Sequence, residues 1–198
     1  MDFELSENIR LMRDSARRFV KNDLEPISQK VEEEEKIPET IVQKMREMGF
    51  FGLSIPEEYG GMGLGTLGEC VLNEEFGKVN ACFRSRFGTN NGIGSQGILI
   101  DGTPEQKEKY LPRIASGEWT AAFALTEPNA GSDAANIQTK AEKKGDFYIL
   151  NGLKHFITNG DIADVSTVMA VTDKTKGPRG VTAFIVEKTF PGFSVGKK

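Results

Sequence analysis

The residues best suited to chemistry lie in one stretch of the sequence, from Phe123 to Asp133. This stretch begins as an alternating apolar strand and ends in the polar loop Asn-Ala-Gly-Ser-Asp. The strand delivers the hydroxyl of Thr126 and nearby backbone amides to a turn, whose exit is fixed by Pro128. Backbone N–H groups with little steric cover suit an anionic or strongly accepting ligand, such as a pyrophosphate or a flavin edge. On composition alone, an ordinary glycine-containing turn is an equal alternative.

Other patterns that carry chemistry elsewhere are weak here. A formal G-x-G-x-x-G occurs at Gly63, Gly65 and Gly68. No second strand and no suitably placed acidic residue follow it, so a flexible connection is favoured over a dinucleotide loop. His155 is the only histidine, and no serine lies on a strand-to-helix elbow. These facts argue against a Ser-His-Asp hydrolase and against a metal site.

Helices are predicted for the first part of the chain, and proline marks the limits of two of them. Ser6 is a predicted N-cap, followed by apolar residues at helical spacing. Pro26 is expected to kink or divide this helix because it lacks an N–H donor. Pro38 is expected in the first turn of a second helix, which ends near Gly49.

Two more helices are predicted before residue 117. The third covers 66–78. The fourth begins at Thr103, where Thr103 and Gln106 have the spacing of a capping box around a proline at the first position. This helix is expected to end before Pro112.

The pattern changes to strands from Glu118 onward, and Gly117 is the predicted domain boundary. Alternating or β-branched runs predict strands, with Asn151-Gly152 as the strongest hairpin signal. The predicted strands are 118–126, 139–143, 147–150, 153–158, 165–172 and 181–187. Helices first and strands afterwards indicate an α+β protein. We therefore predict an all-α domain at 1–117 and an incomplete, antiparallel β-barrel-like or sandwich domain at 118–198.

The composition narrows the classes of function. Hydrophobic residues make up 38% and charged residues 27% of the chain, as in soluble globular proteins. The net charge of −4 argues against a nucleic-acid surface, and no apolar run approaches membrane-spanning length. Cys70 and Cys82 have no metal-ligand spacing, so reduced, partly buried thiols are expected. These observations predict a cytoplasmic protein without membrane insertion.

Several ordered motifs identify a family resemblance. Leu125-Thr-Glu-Pro-Asn-Ala-Gly-Ser-Asp133 closely resembles the first signature of acyl-CoA dehydrogenases, although Asn136 stands where a small residue is usual. Downstream, 151–159 is similar to that family's second flavin-binding segment, with Phe156 in place of the more common Trp. Two upstream stretches match in order and spacing, 55–61 and 102–112. The resemblance covers essentially the whole chain.

The resemblance implies a set of FAD-binding residues. In the first segment, Phe123, Leu125 and Thr126 would approach the isoalloxazine ring. In the second, Phe156 would pack on a face of the flavin and Thr158 would bond near N5. The full set expected to bind FAD is Phe123, Leu125, Thr126, Gly131, Ser132, Phe156, Ile157 and Thr158. Ser132 would also contact the acyl-CoA substrate, where the flavin phosphates and the thioester chain meet.

The resemblance also bears on the acyl chain. Residues 90–94 would belong to a helix that lines the acyl cavity. Arg84 and Arg86 lie just before it. Family members that act on dicarboxylic acyl chains place an Arg in this neighbourhood to pair the distal carboxylate. A surface pair at a helix start is the favoured interpretation of these two arginines.

The implied reaction is desaturation of an acyl-CoA at Cα–Cβ, with hydride transfer to FAD and electron transfer to an electron-transfer flavoprotein. The implied catalytic base is a Glu of a carboxy-terminal helical bundle, which lies beyond this sequence, so the 198 residues alone are expected to be inactive. Glu127 is expected to be structural. A fragment with an open sheet edge should be marginally stable, oligomeric or partnered, and family members form tetramers. The alternatives are a non-catalytic flavin- or acyl-CoA-binding module, a subunit completed by another chain, and a flavin oxidase or monooxygenase.

Overall fold

The computed structural model describes residues 4–196, and in this part of the chain seven α-helices precede five β-strands. The helices are α1 (Glu7–Phe19), α2 (Ser28–Glu34), α3 (Glu39–Glu47), α4 (Gly65–Phe76), α5 (Ala81–Asn91), α6 (Gln96–Asp101) and α7 (Pro104–Ala115). The strands are β1 (Ala121–Ala124), β2 (Lys140–Lys144), β3 (Phe147–Asn151), β4 (Val165–Val171) and β5 (Val181–Glu187). Helices thus come first and strands afterwards, as the sequence predicts.

The first predicted helix is divided, as expected from Pro26, but its distortion begins earlier. The Ser6 side chain accepts a bond from the N–H of Ile9, which confirms the N-cap. After α1 the chain continues as a π-helix at Val20–Leu24 and a 3-10 turn at Glu25–Ile27 before α2. Glu25 keeps α dihedrals, with φ −57° and ψ −45°, and its N–H bonds the carbonyl of Val20. Because Pro26 has no N–H and its ring clashes with a carbonyl four residues earlier, the helical bonding pattern changes before the proline is reached.

The next two predicted helices are confirmed with small shifts. Pro38 is the N-cap of α3 rather than a residue of its first turn, and its carbonyl accepts bonds from the N–H groups of Ile41 and Val42. Gly49 follows α3 with a left-handed φ of 74°, a conformation that glycine adopts without a steric cost. Helix α4 matches the third predicted helix to within two residues at each end.

Helix α7 confirms the capping box and corrects the predicted end. Thr103 accepts a bond from the N–H of Gln106, whose side chain in turn accepts one from the N–H of Thr103. The prediction that the helix ends before Pro112 was wrong, because α7 continues to Ala115. Leu111 and Ile114 are fully buried. Burial of each contributes about 1.5–3 kcal/mol, which offsets the roughly 3 kcal/mol cost of an internal proline.

Helix α5 ends earlier than the family resemblance implies. It stops at Asn91, and residues 92–95 form a turn instead of continuing the helix along 90–94. Gly94 fits only without a side chain, since a Cβ there would lie 2.7 Å from the carbonyl oxygen of Thr89. The turn therefore reverses the chain tightly between α5 and α6.

The sheet is mixed, which corrects the predicted antiparallel arrangement. Strand β4 pairs in parallel with β1, with Ala121 opposite Val165, and antiparallel with β5. One parallel pair, Lys140 with Val171, joins β4 to β2, and β2 and β3 form an antiparallel hairpin. Hairpin signals reveal only the strands joined by short turns. The parallel pairs arise from the long connections that precede β4.

The predicted strand at 153–158 was wrong, and so was the hairpin at Asn151-Gly152. These residues are irregular after β3 ends at Asn151. Gly152 packs against Thr139, such that a Cβ would lie 2.2 Å from the Thr139 hydroxyl. Lys154 is bonded to Glu127 and to the carbonyl of Leu125. Tertiary contacts therefore direct this segment across the end of β1 instead of back along β3.

Two hydrophobic clusters fix the elements around the sheet. One is built on four phenylalanine rings with centroids 4.8–6.4 Å apart, from Phe19, Phe50, Phe76 and Phe87. The other joins α6 and α7 to β1 and β4 through Ile98, Leu111, Ile114, Ala121 and Val165. Helices and sheet are therefore packed through a shared core.

The structure also tests the predictions about the two cysteines and about membrane-spanning segments. Cys70 is exposed, contrary to the prediction of a partly buried thiol, whereas Cys82 is half-buried and its burial raises the pKa of the thiol. Neither cysteine forms a disulfide. Over residues 4–196, no helix has the length and apolar character needed to cross a membrane.

Candidate functional site

Strand β1 carries the first predicted site residues to one end of the sheet. Phe123 lies within the strand, and Leu125 and Thr126 follow it directly. All three side chains are half-buried. The carbonyl of Thr126 accepts a bond of 2.8 Å from the N–H of His155. This bond brings the second predicted segment alongside the first.

Glu127 is the centre of a buried hydrogen-bond network at the end of β1. One carboxylate oxygen accepts bonds from the Thr139 N–H at 2.9 Å, the Thr139 hydroxyl at 2.5 Å and the Lys154 ammonium at 2.8 Å. The other accepts from the Gln138 N–H at 2.6 Å. Main-chain bonds between Glu127 and Ala130 close the turn that follows. The side chain thereby joins three separate parts of the chain.

This environment keeps Glu127 ionised. Burial raises the pKa of the carboxyl group, but the bonds from Lys154, Thr139 and Gln138 outweigh it and hold the pKa at about 2. Only 6% of the side chain is exposed. A carboxylate so fully occupied by donors cannot take a proton from a substrate at neutral pH. The geometry agrees with the structural role that the family resemblance implies.

The loop after Glu127 is open at its tip. Gly131 and Ser132 are both exposed. A Cβ added to Gly131 would meet no atom within 4 Å. The tip of the loop is therefore open to solvent, while the base of the loop is held by the Glu127 network.

Phe156 has the most unusual geometry of the predicted site residues. Its side chain is 85% exposed, and its backbone has a left-handed φ of 55°. The His155 ring stacks on it, with centroids 4.0 Å apart and an angle of 27° between the planes. A non-glycine residue in this conformation costs on the order of 1–3 kcal/mol, and such strain is concentrated at functional sites. Ile157 is half-buried and Thr158 is exposed.

Helix α5 anchors both segments of the site. The Asn159 side-chain amide donates to the Ser85 carbonyl at 2.9 Å and to the Thr89 hydroxyl at 2.8 Å. The side chain of the buried Asn90 accepts a bond of 2.9 Å from the N–H of Ala121, at the start of β1. The two predicted segments are thus fixed to adjacent residues of one helix.

The structure brings the predicted site residues together in these two segments, which meet at Thr126 and His155. Sequence reasoning missed the residues that join them, namely Lys154, Asn159 and Asn90. A signal existed for one of them. Glu127 and Lys154 lie in the two family-like motifs and carry opposite charges, so an ion pair between the motifs was available as a hypothesis.

The two arginines of α5 have different environments. The surface-pair interpretation was wrong for Arg86, which is half-buried, bonds the Thr120 hydroxyl at 3.0 Å and lies 5.2 Å from the centre of the Phe51 ring. Burial lowers the pKa of its guanidinium. Arg84 is exposed and lies 4.0 Å from a Glu69 oxygen. Its guanidinium extends along the helix, 3.0 Å from where a Cβ on residue 88 would be.

Two family models match the chain one after the other. Residues 6–118 match the model described as "Acyl-CoA dehydrogenase, N-terminal domain". Residues 122–198 match "Acyl-CoA dehydrogenase, middle domain". The two matches together cover nearly the whole sequence, in the order in which the helices and the sheet occur.

Similar proteins agree with these matches. The short-chain-specific acyl-CoA dehydrogenase of Clostridium acetobutylicum is 43% identical over 100% of this chain and 52% of its own. A glutaryl-coenzyme A dehydrogenase solved with glutaryl-CoA has a TM-score of 0.90 at 38% identity, over 97% of this chain and 50% of its own. An acyl-CoA dehydrogenase of Bacillus anthracis solved with FAD has a TM-score of 0.86 at 36% identity, over 98% and 33%. The chain spans about half the length of the curated relatives it matches. It belongs to the acyl-CoA dehydrogenase family.

Proposed function

We propose that this chain supplies the FAD- and acyl-CoA-binding part of a flavin-dependent acyl-CoA dehydrogenase. The reaction is desaturation of an acyl-CoA thioester between Cα and Cβ. The observation that carries the proposal is the exposed, strained Phe156, whose neighbour His155 bonds the end of β1 that leads to the open 131–132 loop. An apolar ring held out in a costly backbone conformation fits a planar ligand that packs on it.

The donor set of the site fits FAD. Thr126, Thr158 and the main-chain amides after β1 are hydrogen-bonding groups for the polar edge of a flavin. Gly131 and Ser132 form an open cradle with space for phosphate groups. Phe156 offers a ring face, and the remaining proposed contacts come from Phe123, Leu125 and Ile157. Ser132 also contacts the thioester end of the acyl-CoA.

FAD supplies the hydride acceptor when it is bound, and the residues of this chain orient it and the substrate. Glu127 holds the loop and does not act as the base, because its lone pairs are occupied and its pKa is about 2. The base is proposed to be a Glu of the carboxy-terminal domain that the family resemblance implies. In this proposal the residues of this chain bind and orient FAD and the substrate, and a residue of another domain removes the proton.

The proposal extends to organisation and partners. We propose a helical domain at 1–117 and a β domain at 118–198, in a cytoplasmic homo-oligomer that passes electrons to an electron-transfer flavoprotein. Relatives support the partner, since one from Acetobacterium woodii is named as a subunit of a caffeyl-CoA reductase–Etf complex. The free thiols agree with a reducing compartment.

Anaerobic titration with acyl-CoAs tests the function in the FAD-loaded protein that also carries the proposed carboxy-terminal domain, because the proposed base lies in that domain. We expect the visible flavin absorption to bleach as substrate is oxidised. Bound flavin that no acyl-CoA bleaches would contradict the dehydrogenase and favour a non-catalytic module. Rapid recovery of the band in air would favour the oxidase or monooxygenase alternative. Protein that binds neither FAD nor acyl-CoA would overturn the proposal.

A second candidate substrate class is an acyl-CoA with a carboxylate at its distal end. Arg84 favours it, because its guanidinium extends toward the carboxy-terminal end of α5 and has one carboxylate partner, at the long distance of 4.0 Å. Charged pairing of this kind discriminates between substrates. Arg84→Met should then reduce kcat/KM for a dicarboxylic monothioester at least about tenfold while leaving a straight-chain thioester unchanged. Equal effects on both substrates would refute this candidate.

A further inference from the structure

We propose that Asn159 is a positioning residue that fixes the distance between the flavin-facing segment 156–158 and helix α5. It would do so together with Thr89, the hydroxyl acceptor on the helix. The inference rests on the proposed function, since it places a flavin against Phe156 and Thr158. If this is so, a single helix, α5, fixes the position of the flavin relative to the acyl chain.

The geometry begins with two bonds from one amide. The Asn159 nitrogen donates to the Ser85 carbonyl at 2.9 Å and to the Thr89 hydroxyl at 2.8 Å. Ser85 and Thr89 lie four residues apart, on one face of α5. Thr89 is buried with 5% exposure, so its hydroxyl does not exchange readily with water. The amide therefore joins two successive turns of a rigid helix.

The backbone at Asn159 explains why asparagine suits this position. Its φ is 59°, in the left-handed region that asparagine enters more readily than most residues. Its carbonyl accepts from the N–H of Ile162 and thereby stabilises the tight turn. An aspartate would fit the backbone but would direct a carboxylate oxygen at the Ser85 carbonyl. Asparagine alone combines the backbone conformation with a two-hydrogen donor.

The residue after Thr89 holds the other segment of the site. Asn90 accepts a bond from the N–H of Ala121 and donates to the carbonyls of Ile114 and Trp119, at 2.9 and 2.8 Å. Adjacent residues of α5 thus anchor the segment that carries Phe156 and the strand that carries Phe123. The last turn of α5 therefore supports both flavin-binding segments, in addition to the direct bonds that His155 and Lys154 make between them.

The same turn leads directly into the segment proposed to line the acyl cavity. The N–H of Gly94 bonds the carbonyl of Thr89 at 2.9 Å. A Cβ at Gly94 would lie 2.7 Å from that carbonyl oxygen and 2.9 Å from the Ala121 carbonyl carbon. Because Gly94 is packed this closely, residues 90–94 cannot move without displacing Thr89 or Ala121. A shift of the 90–94 segment is therefore passed to Thr89 and on to Asn159.

The test uses variants of the FAD-loaded protein that also carries the proposed carboxy-terminal domain, and each variant removes the bond without emptying the site. Thr89→Val keeps the shape of the side chain and removes the acceptor, and Thr89→Ser restores a hydroxyl as the matched control. Asn159→Gly removes the donor and relaxes the left-handed backbone. We would measure the FAD absorption spectrum, its reduction potential, the single-turnover rate of flavin reduction by acyl-CoA, and Tm.

We expect Thr89→Val and Asn159→Gly each to shift the flavin spectrum and to slow flavin reduction about tenfold, because small displacements of reacting groups cost rate. FAD should still bind stoichiometrically, Thr89→Ser should match the wild type, and the double variant should be no slower than the slower single variant. A changed Tm with wild-type spectrum, potential and rate would reduce the pair to a structural role and overturn the inference. Additive effects would also overturn it. A wild type that binds no FAD would instead overturn the proposed function.

Discussion

Replacing Glu127 by glutamine tests whether this carboxylate holds the loop or takes part in chemistry. The bonds from Lys154, Thr139 and Gln138 hold the pKa of Glu127 at about 2, against an ordinary value of 4.5. Since a tenfold change in proton affinity corresponds to about 1.4 kcal/mol, this difference is on the order of 3 kcal/mol of stability. Glutamine also leaves the Lys154 ammonium, 11% exposed, without its anion. We expect Glu127→Gln to lose about 3–5 kcal/mol of unfolding free energy at pH 7.

The pH dependence of that loss follows from the direction of the pKa. A carboxyl group whose pKa is lowered by folding stabilises the protein above its unfolded pKa, and the stabilisation disappears as the pH falls through the folded pKa. The gap between the wild type and Glu127→Gln should therefore be full above about pH 5 and should close toward pH 2. Trp119, the sole tryptophan, provides a fluorescence signal for urea unfolding across this range.

Two further variants make the experiment specific. Glu142→Gln removes an exposed carboxylate that lies 3.9 Å from Lys144, and it should cost less than about 1 kcal/mol. Lys154→Met in the Glu127→Gln background should recover part of the loss by removing the unpaired charge. A Glu127→Gln protein within about 1 kcal/mol of the wild type at pH 7 would refute the reasoning. Loss of flavin reduction with unchanged stability and a normal flavin spectrum would point to a chemical role instead.

Three other substitutions probe the site and its support. Phe156→Trp restores the ring that is more common in the family, so FAD affinity measured by fluorescence titration should stay within about an order of magnitude; a larger change would mean that the ring does not face the flavin. Gly131→Ala should leave Tm unchanged, because the added methyl meets no atom within 4 Å, but should weaken FAD binding; unchanged affinity would move the phosphates elsewhere. Asn90→Leu removes the side-chain partner of the Ala121 N–H and of the Trp119 carbonyl, while the Ile114 carbonyl keeps its bond from the Gly117 N–H. It should cost at least about 2 kcal/mol in urea unfolding, whereas the exposed Asn129→Ala should cost less than about 0.5 kcal/mol. Equal losses for the two asparagines would contradict the anchoring role of Asn90.

Features with local causes could be predicted from the sequence. The capping box of Thr103 and Gln106 depends on residues three apart, and it is present as predicted. The run at 181–187 is rich in β-branched and aromatic residues, and it is β5 over the same residues. Local hydrogen bonds and side-chain periodicity are fully encoded in such short stretches.

Features decided by distant contacts could not be predicted. Strands β1 and β4 pair in parallel although the whole β2–β3 hairpin lies between them in the sequence. No local pattern specifies this pairing. The Asn151-Gly152 dipeptide has a strong hairpin preference, but the packing of Gly152 on Thr139 and the Lys154–Glu127 bond override it. Helix α7 likewise continues through Pro112 because its last turn is buried. In each case tertiary packing outweighs a local preference.

The candidate site shows the same division. The residues proposed to contact FAD were found because the motifs that contain them resemble those of a known family, and the residue types and their order are distinctive. Asn159, Asn90 and Lys154 act through bonds to residues 24 to 74 positions away. Asparagine is common in turns, so the types of Asn90 and Asn159 alone carried no signal, whereas Lys154 could be suspected only through its charge opposite to Glu127.

The pairing of β1 with β4 also constrains the order in which a newly synthesised chain can fold. The phenylalanine cluster draws only on residues up to Phe87, so the helices can pack early. Ala121 must wait for Val165, its partner 44 residues later. At roughly 5–20 residues per second, the ribosome needs about 2–9 s to add that interval. During this time β1 has no partner strand, so its free edge is open to chaperones and to aggregation.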